Sequence, residues 1–480
     1  MDINYPDILK SFLEIPYDEL ERKNLSALKK GISTNQKLLE QEYKDYLSKE
    51  SKIKAITLCF TDIEGRFHMI DYDKKYFIHS DDNLTFDGSS IRGFSSLHES
   101  DLRLKADYSS FRWLPADIFG AGKVIMFADI LNRDRSPYES DFRSLLSSYS
   151  RKLQKEYNYQ IYLSAEIEGF LVDGKSAEQN FIEENGFKLI STGGYYHSLP
   201  LDKLRQFIDR CAEAQRAMGF GNEKDHPEVA PSQFELNFKY RDVNQACDNI
   251  QLYKLVCRQI ANSMDMTATF LPKPKANING SGMHLNYSLN KKGENLFFDD
   301  KGRENLSSLA WEVIERILNH APEMCLVLNS SVNAYRRLDP KFEAPNQIKV
   351  SAVDRGSMIR IPAGNEKTAR IEIRSVACDA NPYLALFLIS KTALEGQKLK
   401  KKANQRDRLR FLPDNIYDAI KTFKASDWIN KTIGEVNKEK YCRFKQLAAE
   451  RSPKNLGNLV KRSEIIYHHE VTNQILWNEF

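Results

Sequence analysis

Two carboxylates two residues apart, Glu166 and Glu168, interrupt the apolar run YLSAEIEGFLV. Successive side chains of a strand point to opposite faces, so residues at i and i+2 share one. The run therefore sets two negative charges side by side in a segment that otherwise reads as core. Buried like charges are costly unless compensated, and a divalent cation is the usual compensator. The same spacing recurs in His284-Leu285-Asn286-Tyr287-Ser288 and in Glu372-Ile373-Arg374. In EVAPSQFE, a turn at Pro231 and Ser232 can bring Glu228 and Glu235 to one end of a sheet. Together these acids offer enough hard oxygen ligands for two Mg²⁺ or Mn²⁺ ions. His284 follows NGSG (279–282), whose glycines let backbone approach a ligand closely. Taken singly, His284 reads as a hydrogen-bonded core residue and Glu372 with Arg374 as a buried ion pair. The neighbouring acids and glycines turn both toward ligand binding.

Arginine is the next theme. Arg337, Arg355, Arg360, Arg370 and Arg374 lie within forty residues, a stretch that also carries Lys367. Any one of these reads as a surface arginine, but several on strands such as SMIRIP and ARIEIRS are better explained as binders of carboxylate or phosphate. Cations plus arginines, without a His or Cys nucleophile motif, point to phosphoryl transfer from a nucleotide. The chain has no GxxxxGK[ST], so it is not a P-loop enzyme.

The elements that must position these residues follow from patterning. Residues 1–50 read as an amphipathic helical extension, with Leu25, Leu28, Leu38 and Leu39 among many Lys and Glu. Residues 51–140 change character: IKAITLCFTD, GRFHMIDY and VIMFADIL are short strands separated by Gly or Asp turns, giving a small, mostly β domain. Residues 141–480 form a larger domain of alternating helices and strands. Its clearest helices are LDKLRQFIDRCAEAQRAMGF and VNQACDNIQLYKLVCRQIANSMDM; its clearest strands are IYLSAEIEGFLV, FELNFKY, GMHLNYSL, SMIRIP and ARIEIRSV. The basic run KLKKKANQRDRLR, 398–410, reads as a solvated loop.

Composition bounds the rest. The chain has 480 residues, a hydrophobic fraction of 41% and a mean hydropathy of -0.54, as expected of a soluble two-domain enzyme. Its 70 Lys and Arg nearly balance 66 Asp and Glu, which gives no support to a nucleic-acid or membrane partner. The N-terminus MDINYPDILKSFLE lacks a signal pattern. Seven scattered cysteines without a CxxC pair fit reduced core thiols in a cytoplasm.

From about residue 55 onward the chain resembles glutamine synthetase. The resemblance rests on FDGSSI (86–91) with HESD (98–101), the Glu166/Glu168 strand, Gly193-Gly194-Tyr195, and Glu228 to Glu235. It continues through TATFLPKP with NGSGMH, Tyr335 to Arg337, FEAP (342–345), IRIP (359–362), and ARIEIR followed by NPY (381–383). It implies an α+β fold: a β-grasp-like N-terminal domain, then a catalytic domain with a curved, barrel-like antiparallel sheet flanked by helices. It further implies a homo-oligomer of two stacked rings, a dodecamer, with active sites between neighbouring subunits. Glu168, Glu228 and Glu235 would hold one metal, and Glu166, His284 and Glu372 the other. Arg337, Arg360 and Arg374 would handle the glutamate carboxylate and the γ-phosphate, with Arg355 near the transferring phosphoryl and Gly280 offering backbone to glutamate. ATP, the co-substrate, would meet Glu223, Tyr240, Asn286, Ser288, Lys367 and Arg370. Asp87 from the neighbouring subunit would take the proton of ammonium, with Ser90, Tyr195 and Glu228 lining its pocket, and Glu343 would close the site.

The resemblance has departures. Asn286 stands where many bacterial relatives have histidine, and Ser232 where Gly is usual. Arg410 stands where some relatives carry an adenylylated tyrosine, so no such modification is expected. The implied activity is ATP-dependent formation of glutamine from glutamate and ammonium. Ligation of glutamate to a larger amine, such as methylamine or a polyamine, is the alternative; such ligases tend to lose the acid that Asp87 supplies. A catalytically dead relative is disfavoured, because it has no chemical reason to keep several buried charges that oppose stability.

Overall fold

The computed structural model describes residues 15–80, 83–91, 94, 101–180, 186–398 and 409–466, with side chains to residue 450. The HES of the HESD segment and nearly all of the basic run 398–410 lie outside the described residues.

The N-terminal sheet has the order β2-β1-β5-β4-β3. Its strands are β1 (Ala55–Thr61), β2 (Phe67–Asp73), β3 (Leu84–Asp87), β4 (Asp101–Trp113) and β5 (Lys123–Leu131). The central β1–β5 pair is parallel and the others are antiparallel, the mixed arrangement of a β-grasp domain. Two helices, Tyr17–Ser33 and Gln36–Lys49, cover this sheet and pack on their own subunit. Asn24, wholly buried, fastens the first: its Nδ2 donates to the carbonyls of Trp113 (3.0 Å) and Ala217 (2.8 Å), and its Oδ1 accepts from the Trp113 N–H.

The catalytic domain is built on a curled half-barrel sheet of order β13-β14-β15-β11-β6-β8-β7. These strands are β6 (Tyr159–Asp173), β7 (Asn222–Pro227), β8 (Gln233–Phe238), β11 (Met283–Lys291), β13 (Gln347–Ser351), β14 (Ser357–Arg360) and β15 (Ile371–Ile373). Short strands β9 (Arg241–Asp242) and β10 (Met266–Thr269) pair with β6, and β12 (Glu294–Asn295) with β11. Every pairing in this sheet is antiparallel except β13–β14.

Alternation along β6 sets the two faces. Ile161, Leu163, Ala165 and Ile167 are at most 1% exposed and face the core, while Glu166 and Glu168 are half-buried on the other side. Helices Phe142–Tyr157, Lys203–Ala217, Val243–Ser263, Ser308–Leu328 and Pro382–Glu395 back the core face. The last is buried along nearly its whole length, and its N-terminus is capped by Asn381, whose Oδ1 accepts from the N–H groups of Tyr383 and Leu384. The Nδ2 of Asn381 also reaches the Asp62 and Ile63 carbonyls in the β1–β2 turn, joining the two sheets. Gly65 is required there: it has φ +95°, and a Cβ would stand 2.8 Å from the Asn381 Cα. Arg143 makes the second bridge, bonded to Asp248 (2.8 and 2.9 Å) in the catalytic domain and to Asp107 (2.7 Å) and Asp129 (3.2 Å) in the N-terminal sheet.

All seven cysteines are buried free thiols. Among the described residues no helix is long and apolar enough to cross a membrane.

Candidate active site

Strand register collects the acids. Glu168 on β6 lies opposite Glu235 on β8, which lies opposite His226 on β7. Glu166 lies opposite His284 on β11, and Glu372 on β15 lies between Asn286 on β11 and Arg360 on β14. All sit on the face of the sheet turned away from the core, where all but Asn286 line one cavity with Glu228, Tyr195, Gly280, Arg337, Glu343, Arg355 and Arg374.

Two groups within this cavity have the donor set for a divalent cation. Glu166, His284 and Glu372 bring ligand atoms within 4.8 Å of one another, and so do His226, Glu228 and Glu235. In the first group His284 Nδ1 is 3.5 Å from Glu166 Oε2 and 3.8 Å from Glu372 Oε1. In the second, His226 Nδ1 is 3.5 Å from Glu228 Oε1 and Nε2 is 3.6 Å from Glu235 Oε1. Among the described residues Glu168 completes no such triplet: it accepts the Gly282 N–H at 2.7 Å and faces Gln233 Nε2 at 3.4 Å. His226 was not singled out in the sequence. Had the i, i+2 rule that marks Glu166 and Glu168 been applied to His226 and Glu228, it would have paired them. Lys224, Gln233 and Asn279 also line the cavity and were likewise missed.

The carboxylates of the two groups repel one another unequally. Burial, then repulsion from Glu168, pushes Glu228 up to about 8. Burial and the charges of Glu166, Glu168 and Glu228 push Glu235 well above the carboxylate range. Burial also acts on Glu166, but the hydrogen bond and charge of His284, with Asn286 and Arg360, outweigh it and hold this carboxyl at about 2. Acids that resist ionising together are groups whose ionised form a bound divalent cation would stabilise.

A pH dependence follows. The folded-state values of Glu228 and Glu235 are raised above their unfolded ones. For Glu228 this contribution to stability is complete below about pH 4.5 and is lost as pH rises through about 8, and Glu235 acts in the same direction. Bound Mg²⁺ would take the place of the protons. The gap in melting temperature between Mg²⁺- and EDTA-treated protein is therefore expected to widen from pH 6 to pH 8. A scanning-fluorimetry series checks this; a gap that narrows over that range contradicts it.

The arginines converge on the same face. Glu372, 1% exposed, lies 2.9 Å from Arg360 Nε and 3.1 Å from Arg374 Nε. Arg337, also buried, donates to the Val376 (3.2 Å) and Arg374 (2.9 Å) carbonyls. Gly280 admits this guanidinium's stem: a Cβ would stand 2.4 Å from the Pro272 carbonyl oxygen and 3.1 Å from Arg337 Cγ. Glu343, at φ +62°, is exposed on the loop over the cavity, 3.4 Å from Arg355 Nη1 and accepting from Asn279 Nδ2 at 3.0 Å.

The face continues outward along β6 and β11. Asn286 donates to Glu166 (3.0 Å) and accepts from Arg370 Nε (2.9 Å). Ser288 lies opposite Tyr162, whose ring meets Tyr240 edge-on at 5.3 Å. Tyr240 is exposed, as are Glu223 and Lys367, which do not line the cavity. Asp87 and Ser90, at the end of β3, do not line it either; Ser90 Oγ donates to Asp87 Oδ2 at 2.5 Å and Ser89 Oγ to Oδ1 at 2.6 Å. The Ser89 and Ser90 hydroxyls keep the exposed Asp87 carboxyl below its usual range.

Comparison with known proteins agrees with this architecture. Residues 52–133 match the family described as glutamine synthetase, beta-Grasp domain, and residues 139–458 match glutamine synthetase, catalytic domain. The glutamine synthetases of Staphylococcus aureus MRSA252 and Staphylococcus epidermidis are each 35% identical over 404 residues, 81% of this chain and 89% of theirs. Among solved structures, the Plasmodium falciparum glutamine synthetase superposes with a TM-score of 0.78 at 21% identity, covering 90% of this chain and 99% of its own. A GmaS–ADP complex gives 0.74 at 23%, covering 88% and 99%. At 81% coverage and with both domains matched in order, the sequence likeness extends well beyond the cavity to the scaffold that shapes it, and the chain belongs to the glutamine synthetase family of ligases.

Proposed function

We propose that this protein joins ammonium to the γ-carboxyl of L-glutamate, consuming ATP and passing through γ-glutamyl phosphate. The observation that carries the reading is a single cavity lined by two candidate cation groups and four arginines, with an outward shelf of polar residues beside it. A carboxylate is a poor electrophile, so one of its oxygens must first attack the γ-phosphorus of ATP, releasing ADP. Ammonia then attacks the acyl carbon, and phosphate leaves with the electron pair of the C–O bond.

Each group has work in that sequence. Glu166, His284 and Glu372 would hold one cation, and Glu228 and Glu235, with Glu168 or His226, another; their hard oxygen and imidazole donors suit Mg²⁺ or Mn²⁺. When bound, such cations neutralise the phosphate charge that develops during transfer. Arg337, Arg360 and Arg374 bind the glutamate carboxylate and the γ-phosphate, with Gly280 backbone beside them, and Arg355 meets the transferring phosphoryl. Tyr240, Asn286, Ser288 and Arg370 form the shelf for ATP, with Glu223 and Lys367 at its margin.

Asp87 and Ser90 enter from the adjacent subunit of a ring, in an assembly of two stacked rings, a dodecamer. The hydroxyls that keep Asp87 ionised suit it to bind a cation, and it takes a proton from ammonium opposite Tyr195 and Glu228. Glu343 closes over the acyl phosphate and excludes water. The proposed division of labour is an extension over 1–50, an N-terminal domain over 51–140 that lends Asp87, and a catalytic domain over 141–480. A larger amine would need room where Tyr195 stands, stacked at 3.8 Å on Tyr196, so ammonium is the favoured nucleophile.

Glutamate labelled with ¹⁸O in the γ-carboxyl is expected to transfer one label to the phosphate released. Phosphate free of label would refute an acyl phosphate intermediate.

A further inference from the structure

Ser232 takes no part in the chemistry above, yet its side chain is anchored more fully than any ligand beside it. It is wholly buried at φ +64°, a left-handed conformation disfavoured for a residue with a Cβ. Its hydroxyl accepts the Ile190 N–H at 2.7 Å and the Ser191 N–H at 2.9 Å, and donates to the Ser191 carbonyl at 3.2 Å. One donor and two acceptor sites are thereby all used. Its carbonyl accepts from the N–H of Leu171, three residues beyond Glu168 on β6.

The bonding continues beyond Ser232. Ser191 Oγ accepts the Gly193 N–H (3.2 Å) and donates to Asp202 Oδ2 (3.0 Å), which also meets His197 Nε2 at 2.8 Å. The segment 190–197 is thus tied at both ends, and Tyr195 lies within it. The rings of Tyr195 and Tyr196 meet His226 edge-on at 5.6 and 4.9 Å, which seats the segment over the strand leading to Glu228.

We propose that Ser232 is a positioning residue for the amine pocket. Its hydroxyl locks the 190–197 segment to the Glu228–Glu235 turn, so Tyr195 and Glu228 stand at a fixed separation before substrate arrives. The proposal rests on the reading of Tyr195 and Glu228 as amine-pocket residues. A wall preset in this way selects for a small amine and cannot widen to admit a longer one.

The test uses the full-length chain with Ser232→Ala and Ser232→Gly, each also combined with Tyr195→Ala. Gly removes the hydroxyl while relieving the backbone conformation, so it remains informative if the Ala variant folds poorly. Both variants are expected to raise the KM for ammonium about five- to tenfold, with kcat and the KM values for glutamate and ATP moving less than about twofold. In the Tyr195→Ala background the same changes should raise the ammonium KM less than about twofold, because the positioned group is gone. Hydrogen exchange of the Ile190 and Ser191 amides should accelerate in both variants. Equal rises in all three KM values, additive effects with Tyr195→Ala, or faster exchange with an unchanged ammonium KM would each overturn the proposal. Wild-type protein that uses methylamine in place of ammonium removes the ammonium reading alone, since the same comparison is then made with methylamine; wild-type protein that prefers a longer amine such as putrescine overturns the proposal as well. Wild-type protein that turns over no amine overturns both.

Discussion

Glu372→Gln is expected to lower kcat/KM for glutamate by about three orders of magnitude. The change keeps the shape of the side chain and removes its charge. Glu372 is almost fully buried between Arg360 and Arg374, with His284 Nδ1 at 3.8 Å. Gln would leave two guanidinium groups close together without the anion between them and take one hard donor from the proposed cation site. The proposed γ-phosphate and cation binders would thus be disturbed together, so the loss should exceed that of an isolated ligand. Steady-state phosphate release against glutamate, at saturating ATP and Mg²⁺, measures it. A fall of less than about tenfold would remove Glu372 from the centre of the site.

Mixing two dead variants is expected to restore activity. Asp87→Ala and Glu372→Gln each disable every site of a homo-oligomer. If Asp87 serves the neighbouring subunit, random co-assembly pairs intact Asp87 with intact Glu372 in about a quarter of sites. Turnover should then return to about that fraction of wild type after the subunits are dissociated and reassembled together. If Asp87 served its own subunit, every protomer would carry one defect and nothing would return. Asp87 and Ser90 do not line the cavity of their own chain, which is why the shared-site outcome is expected.

Much of this was legible in the sequence. The two-residue period of YLSAEIEGFLV announced both the core face of β6 and the acids on its other face. GMHLNYSL and ARIEIRSV did the same for His284, Asn286, Glu372 and Arg374. The turn at Pro231 and Ser232 did bring Glu228 and Glu235 into one cavity.

What escaped has physical reasons. Residues 101–113, DLRLKADYSSFRW, form the longest strand of the N-terminal sheet, but their charges and register shift blur any alternation. Helix Pro382–Glu395 is buried on all sides except near Lys391 and Glu395 at its C-terminal end, and so carries no continuous amphipathic stripe. The polar anchor of the N-terminal helix is the buried side chain of Asn24, which no pattern distinguishes from a surface asparagine. Ser232 shows the converse: its place in a turn was visible, but the hydroxyl bonds to Ile190 and Ser191 join segments forty residues apart and exist only in the fold.

The most direct test of the proposed chemistry is phosphate release from ATP with glutamate and Mg²⁺, comparing ammonium, methylamine, ethanolamine and putrescine, with each product identified by mass. Ammonium-dependent turnover that yields glutamine is the expected result. Preferential turnover of a larger amine would keep the fold and the cation site but contradict the roles given to Asp87, Tyr195 and Glu343. Absence of turnover with every amine would contradict the ligase reading itself.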